Sequence, residues 1–334
     1  MNKHTTPEKP KSFLEVLRWT PNEARAYLER IRWPNGPVCP NGCVSEVYRF
    51  EAKTQRRDKN GGKRLGPIRH LLKCKSCKRQ FTATVGLIFE ASPIPLNKWM
   101  AAVFLMCASK KGVSAHQLHR MLGLSYKAAW FVAHRIRHAM RDKSGPLSGI
   151  IEADETFVGG KPRGHRAHRS ERLTMSERIK AAWEKKTPVF GILERDGRVR
   201  TLVMNPLTKK GAQAALMENI DLGSSRLMTD ESPLYVGIDE HLPHLAVQHD
   251  REYVTGDGIV HTQGIEGFWS LLKRGLNGTF HHVMPEYLGM YCDEFSFRFN
   301  TRKMIDGERF ASALQGASGR LTWFYEKRPD RTAS

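Results

Sequence analysis

Long apolar runs are missing from this chain. Across its 334 residues nothing approaches the roughly 20 consecutive apolar residues of a membrane span, and the longest stretch, Trp99 to Ala108, has the length of a core helix. The opening residues Met-Asn-Lys-His-Thr-Thr-Pro hold no apolar signal core, so a cytoplasmic protein is expected, with no membrane partner. Acidic residues are outnumbered, 34 Asp and Glu against 54 Lys and Arg, giving a formal charge of +20. Such a field attracts polyanions; nucleic acid is the first candidate and an acidic membrane surface the second. Cysteine is sparse too. Of six in all, four form two close pairs, Cys39 with Cys43 and Cys74 with Cys77. Cys107 and Cys292 sit alone in apolar stretches and read as small buried hydrophobes. In a reducing compartment the pairs argue for a metal rather than disulfides. Internal repeats are absent.

What is present falls into blocks. Thr20-Pro21-Asn22-Glu23 opens a helix, with Thr as N-cap, Pro at the first position and Glu closing a capping box. Ala24, Tyr27, Leu28 and Ile31 carry that helix towards Pro34. The Cys pairs then flank short, basic, β-like stretches, the arrangement of a zinc ribbon. Spacings of C-x3-C and C-x2-C both let four thiolates reach one tetrahedral ion. Pro93 to Lys110 reads as a core helix. Ser114 to Ser125 reads as the first helix and turn of a helix-turn-helix, with Gly123 at the bend and Ser125 capping the next helix, Tyr126 to Met140. That second helix carries Lys127, Arg135 and Arg137, with Ala128, Ala129, Val132 and Ile136 expected to be buried. A basic second helix suits a DNA groove; the plainer alternative is a helical hairpin with a solvated basic face.

Lys143-Ser144-Gly145-Pro146 marks a boundary, after which strands and helices alternate. Strands are expected over 150–158, 189–194, 199–204, 227–229 and 245–248, the second and third joined at an Asp196-Gly197 turn. Helices are expected over 211–220, 263–277 and 285–300. The order is read as three strands, helix, strand, helix, strand, helix: a meander feeding parallel strands in a mixed α/β sheet. The connection 161–187 is too long for a simple hairpin, and reads equally as a DNA-contacting insertion or a solvated loop. The expected domains are an N-terminal helix over 1–35, a zinc ribbon over 36–92, a helix-turn-helix over 93–145, an α/β domain over 146–305 and a basic tail over 306–334.

Three carboxylates in this last domain matter most. Asp154 lies inside a strand, where a carboxylate is costly to bury unless paired or metal-bound. Asp230 follows Arg226-Leu227-Met228-Thr229; alone, it reads as readily as a turn or cap residue. Glu266 begins a helix in which Ile265, Phe268, Trp269, Leu272 and Leu276 form one arc, while Glu266, Ser270, Lys273 and Asn277 form another. Glu266 and Lys273 lie about 10 Å apart along that flank at 1.5 Å per residue. One can hold a metal while the other contacts a phosphate. Glu155 and Glu231 alternate to the opposite face from their neighbours, and Glu152 shares a face with Asp154 as a candidate accessory. Carboxylates converging from separate elements suit a pair of divalent cations, the device for in-line displacement at phosphorus.

Five segments together carry a family resemblance: Cys74-Lys75-Ser76-Cys77-Lys78-Arg79-Gln80-Phe81-Thr82; Asp154-Glu155-Thr156-Phe157-Val158-Gly159-Gly160-Lys161; Thr229-Asp230; His261 through Arg274; and Glu294 through Arg302. The chain resembles the insertion-sequence DDE transposases that join a zinc ribbon, a helix-turn-helix and a ribonuclease-H-like catalytic domain. The resemblance implies a ribonuclease-H-like mixed sheet with flanking helices. It also implies Asp154, Asp230 and Glu266 as ligands of two Mg2+ ions, and Lys273 as a DNA contact. Structural Zn2+ would sit on Cys39, Cys43, Cys74 and Cys77. Relatives carry Asn where this chain has Gln263, a longer neutral oxygen donor. Glu294, Arg298 and Arg302 recur on one helix face, which alone would be a surface ion pair; the resemblance gives Arg298 and Arg302 a supporting or DNA-contacting role.

The expected activity is metal-dependent cleavage at terminal inverted repeats of an insertion sequence, followed by transfer of the freed 3′-OH to target DNA. No Ser or Tyr nucleophile is needed, and Tyr235, Tyr287 and Tyr291 are expected to pack. Pairing two DNA ends implies a homo-oligomer on the nucleoid. The rivals are a non-catalytic DNA-binding regulator, and a ribonuclease-H-like nuclease that cuts without joining.

Overall fold

The computed structural model describes residues 7–57, 63–159, 186–247 and 261–319. The chain divides into two compact units, one of Met1–Ala108, Ala115–Ala139 and Met304–Ser334, the other of Ser109–Ser114 and Met140–Lys303.

The first unit begins with α1 (Phe13–Leu17) and α2 (Pro21–Arg32). The capping box forms as expected: Thr20 Oγ1 accepts the Glu23 N–H at 3.3 Å, and Glu23 Oε2 accepts the Thr20 N–H at 2.7 Å. Two otherwise orphaned amides are thereby satisfied. An antiparallel sheet follows, ordered β1 (Val47–Arg57), β2 (Lys63–Cys74), β3 (Gln80–Phe81). Next, α3 (Leu96–Ala108) buries Trp99 to Phe104, Met106 and Cys107, which accounts for the longest apolar run.

α4 (Ala115–Leu122) and α5 (Tyr126–Ala139) are joined through Gly123, whose φ of +58° favours glycine. Ser125 Oγ accepts the Ala128 N–H at 3.2 Å, the expected cap. The expected C-terminal tail instead begins with a helix, Asp306–Gln315. Its Phe310, Ala311, Ala313 and Leu314 form a buried stripe. Phe310 packs 5.7 Å from Tyr27 and 5.6 Å from Phe104 between ring centroids.

The second unit contains β4 (Leu147–Val158), β5 (Thr187–Glu194), β6 (Val199–Val203), α6 (Lys209–Asn219), β7 (Ile220–Asp230), β8 (His244–Val247), α7 (Gln263–Gly275) and α8 (Pro285–Asn300). The sheet order is β6-β5-β4-β7-β8. β4, β5 and β6 pair antiparallel, while β7 and β8 continue parallel to β4. This is the expected ribonuclease-H-like mixed sheet, with one correction: two short 3-10 turns, Pro233–Tyr235 and Ile238–Glu240, replace the helix expected between β7 and β8. Pro233, Gly237 and Pro243 break an α-helix there. The 161–187 connection lies outside the described residues up to position 185.

Both sheet faces are covered. Phe190, Ile192, Leu227 and residues of α6 form one apolar layer. Val189, Leu193, Ile265, Phe268, Trp269 and Leu272 form the other, under α7 and α8. Fully burying one such large apolar side chain contributes roughly 1.5–3 kcal/mol. The Ile265–Phe268–Trp269–Leu272 stripe therefore fixes which flank of α7 remains open.

Candidate active site

The sheet register gathers the carboxylates. On the parallel strands β4 and β7, Ile151 pairs with Leu227 and Glu152 with Met228. Two residues further on, Asp154 and Asp230 stand at equivalent places on neighbouring strands, so they share a face. Glu266 joins them from α7, its Oε1 accepting the Thr262 hydroxyl at 3.0 Å. Burial pushes the Asp154 carboxyl up to about 6, and the nearby charges of Asp230 and Glu266 add to the rise. Separate strands and a helix thus bring three carboxylates within electrostatic reach.

Two hydrogen bonds, one from the backbone and one from a side chain, hold Asp154 in place. Oδ1 accepts the Glu155 backbone N–H at 2.8 Å, and Oδ2 accepts the Trp269 indole N–H at 2.9 Å. The indole reaches that position because Gly191 is the cross-strand partner of Asp154. A Cβ on Gly191 would lie 2.5 Å from the Trp269 ring. Sequence reasoning assigned Trp269 only to packing, and nothing in local sequence marked Gly191.

Glu155 alternates to the opposite face from Asp154, as expected: its cross-strand partner is Phe190, which packs with Tyr235. Its oxygens accept hydrogen bonds from Ser232 Oγ and Tyr235 Oη, each at 3.4 Å. Burial raises its carboxyl to about 7, helped by the charges of Asp230 and Asp154. Glu155 thus lies on the other face of the strand, yet within electrostatic reach of Asp154 and Asp230. Tyr235 is buried, as expected, and its hydroxyl is one of the donors to Glu155. Glu152 is fully buried and accepts from Arg195 Nε and the Ile265 backbone N–H, each at 3.0 Å.

A groove of about 710 Å³ runs along the open flank of α7, lined by Asp154, Glu155, Glu266, Ser270, Lys273 and Asn277 among others. The acidic end and the cationic Lys273 occupy one concavity, in the order that the helical wheel predicts. Gln263 is exposed at the first position of α7, one turn before Glu266. Carboxylate oxygens are the hard donors that Mg2+ takes. A two-ion site holds its cations roughly 3.5–4 Å apart, so its outer ligands spread more widely than those of a single ion. Among the described residues, only the four thiols have all their ligand atoms within 4.8 Å of one another.

Those thiols are Cys39, Cys43, Cys74 and Cys77. Zn–S bonds of about 2.3 Å in a tetrahedron put sulfurs roughly 3.8 Å apart; Cys39 and Cys77 lie 3.6 Å apart. Backbone N–H groups of Cys77 and Ser76 directed at Cys74 lower its thiol to about 6, favouring the thiolate that a metal takes. The donor set fits zinc, and the C-x3-C knuckle closes on the same point as C-x2-C.

The expected DNA-contacting side chains divide. Lys127 is exposed at the start of α5. Arg135 and Arg137 are buried, which corrects their assignment as DNA contacts. Arg135 donates to the carbonyls of Ile88 at 2.7 Å and Glu90 at 3.1 Å. Arg298 is corrected in the same way: it is buried against the fully buried Glu294, with Nε donating to the Ser109 carbonyl at 2.7 Å. Arg302 is exposed, yet it donates to the carbonyls of Gly197 at 2.8 Å and Phe299 at 2.9 Å.

Two segments of the chain match described families. Residues 146–300 match the family described as the ISXO2-like transposase domain, and residues 19–80 match the transposase zinc-ribbon domain. An uncharacterized protein in transposable element ISH50 of Halobacterium salinarum is 29% identical over 288 residues, covering 85% of this chain and 92% of that protein. Two solved structures show weaker likeness. A chain of the simian T-cell lymphotropic virus intasome in complex with PP2A regulatory subunit B56 gamma is 16% identical, with a TM-score of 0.29, covering 59% of this chain and 65% of that one. A chain of the Mos1 strand transfer complex is 13% identical, with a TM-score of 0.22, covering 65% of this chain and 78% of that one.

Proposed function

We propose, for a chain that belongs to the insertion-sequence DDE transposases with an N-terminal zinc ribbon, that it cleaves the ends of its element and joins them to target DNA. The observation that carries this reading is the closeness of Asp230 and Glu266 to Asp154, with Asp154 and Glu266 lining a groove that also presents Lys273. Asp154, Asp230 and Glu266 would hold two Mg2+ ions. When bound, these supply the Lewis acidity that activates first water and then the freed 3′-OH, and that stabilises the departing oxygen.

The chain's own residues do the positioning. Trp269 and the Glu155 amide fix the two oxygens of Asp154. Lys273, further along α7, neutralises a backbone phosphate of the strand lying in the groove. α4 and α5, within the 93–145 block, dock the terminal inverted repeat. Helix-turn-helix proteins read bases with the N-terminal residues of the second helix, so Lys127 is the contact and the buried Arg135 and Arg137 are not. The zinc ribbon of block 36–92 contributes further phosphate contacts, and two bound ends require at least two copies of the chain. Among the described residues no helix is long and apolar enough to cross a membrane.

The test is strand transfer with oligonucleotides carrying the element's terminal repeats. In Mg2+ the wild-type protein should yield joined products, while Asp154→Ala and Asp230→Ala should join none yet bind the ends as wild type does. Normal joining by either variant would remove the catalytic assignment. Cut but unjoined DNA from the wild type would make the protein a nuclease instead, and end binding with neither product would make it a regulator.

A further inference from the structure

We infer that Glu152 is a positioning residue: from the central strand it caps the helix that carries Glu266, and so sets the distance between the acidic elements of the site. This inference rests on the transposase reading given above. Glu152 lies on β4, fully buried between neighbouring strands, where it pairs with Leu193 on one side and Met228 on the other. A carboxylate there is costly unless its oxygens are satisfied, and they are. Oε1 accepts from Arg195 Nε at 3.0 Å, with His261 Nδ1 at 3.5 Å; Oε2 accepts the Ile265 backbone N–H at 3.0 Å.

The third contact explains the arrangement. Ile265 is the third residue of α7, and the first N–H groups of any helix lack internal partners. Thr262 occupies the N-cap but makes no side-chain cap bond; its hydroxyl donates to Glu266 instead. The cap therefore comes from Glu152, distant in sequence, and a carboxylate suits the positive end of a helix. Arg195 extends the clamp by donating from Nη2 to the His261 carbonyl at 3.0 Å, which fixes the chain entering the helix. Gly264 makes room: a Cβ there would lie 2.7 Å from Glu152 Oε2.

A second tie sets the register. Two residues along the strand, Asp154 meets Trp269, four residues along the helix from Ile265. Two strand residues rise about 6.7 Å and four helix residues about 6 Å, so both ties form at once without shear. Glu266 lies between them on α7. Full burial and three protein partners exclude Glu152 as a metal ligand, despite its sharing a face with Asp154.

The experiment uses the full-length protein with Glu152→Gln, Glu152→Ala and Gly264→Ala, the last crowding the carboxylate while leaving it in place. Backbone hydrogen exchange over 263–267 reports the clamp directly, with α8 as internal control. Loss of one charge-assisted hydrogen bond should speed exchange by about tenfold or more, in the order wild type, Gln, Ala. The Gln amide can satisfy Ile265 or Arg195 but not both. The same variants should need several-fold more Mg2+ for half-maximal transfer while binding DNA ends unchanged, a split that general destabilisation would not give. Wild-type exchange at 263–267 in the folded variants overturns the clamp. Faster exchange with an unaltered Mg2+ requirement overturns its role in positioning Glu266. If the wild-type protein joins no DNA, the functional reading falls, and exchange alone still decides whether Glu152 holds the helix.

Discussion

Asp154 and Glu155 show what burying neighbouring carboxylates costs the protein. Burial raises their carboxyls to about 6 and about 7, above ordinary values of about 4. Between roughly pH 4 and 7 the folded state therefore holds protons that the unfolded chain has released. Stability falls with rising pH wherever the native state binds more protons. The metal-free protein should melt at lower temperature as pH rises from 5 to 8, and Glu155→Gln should flatten that slope. Added Mg2+ should raise the melting temperature more at pH 8 than at pH 5, because cations then replace the missing protons. Thermal melts with and without Mg2+ check this; a slope unchanged by Glu155→Gln would contradict it. Trp269 gives a second prediction at this scale. Trp269→Phe keeps an aromatic ring near Gly191 but removes the N–H that holds Asp154. It should cost about 1–3 kcal/mol of stability for a charged acceptor losing its donor, and slow strand transfer about tenfold. Denaturant titration and transfer rates measure the two effects.

At the scale of elements, the basic helices sort into those that meet water and those that build the core. Lys127 on α5 is exposed, whereas Arg298 on α8 is buried against Glu294. Lys127→Ala should leave stability unchanged, weaken end binding, and reduce the salt slope of binding by about one. Arg298→Met should do the reverse: it strands a buried carboxylate, costing roughly 3–5 kcal/mol, and leaves the salt slope alone in protein that stays folded. Binding isotherms at several salt concentrations, set beside denaturant curves, separate the two.

These helices also show where sequence stopped being informative. Periodicity placed α5 and α8 because apolar spacing is a local property. It could not show that Arg135 and Arg298 turn inward, because their acceptors are the carbonyls of Ile88, Glu90 and Ser109, far away in sequence. The capping box at Thr20 and the two flanks of α7 were legible for the opposite reason: every partner lies within a turn or two. Glu152 falls between these cases. Its shared face with Asp154 was visible from alternation, but its partners, Arg195 and the Ile265 amide, appear only once the sheet and helix have packed.

For the whole molecule, the +20 charge and the zinc ribbon make separate demands. Affinity for DNA should fall steeply with salt, since neutralised phosphates release counterions. Chelating zinc should speed hydrogen exchange across residues 36–82 while leaving β4, β5 and β7 protected; equal loosening of both would merge the two units into one cooperative block. The zinc ribbon ahead of the mixed sheet was readable because each carries its own pattern: paired cysteines in one, strands that hold carboxylates in the other. The Asp230 contribution was not decidable alone, since a strand-terminal Asp has many ordinary uses; the parallel pairing of β4 with β7 brings it level with Asp154 on the neighbouring strand. The central claim is that Asp154, Asp230 and Glu266 share a pair of divalent cations. Anomalous diffraction from crystals of the protein on an element end, grown with Mn2+, addresses it directly. Two peaks roughly 3.5–4 Å apart, bounded by those three carboxylates, are the predicted result. Peaks elsewhere, or none in a crystal whose ends are bound, would contradict it.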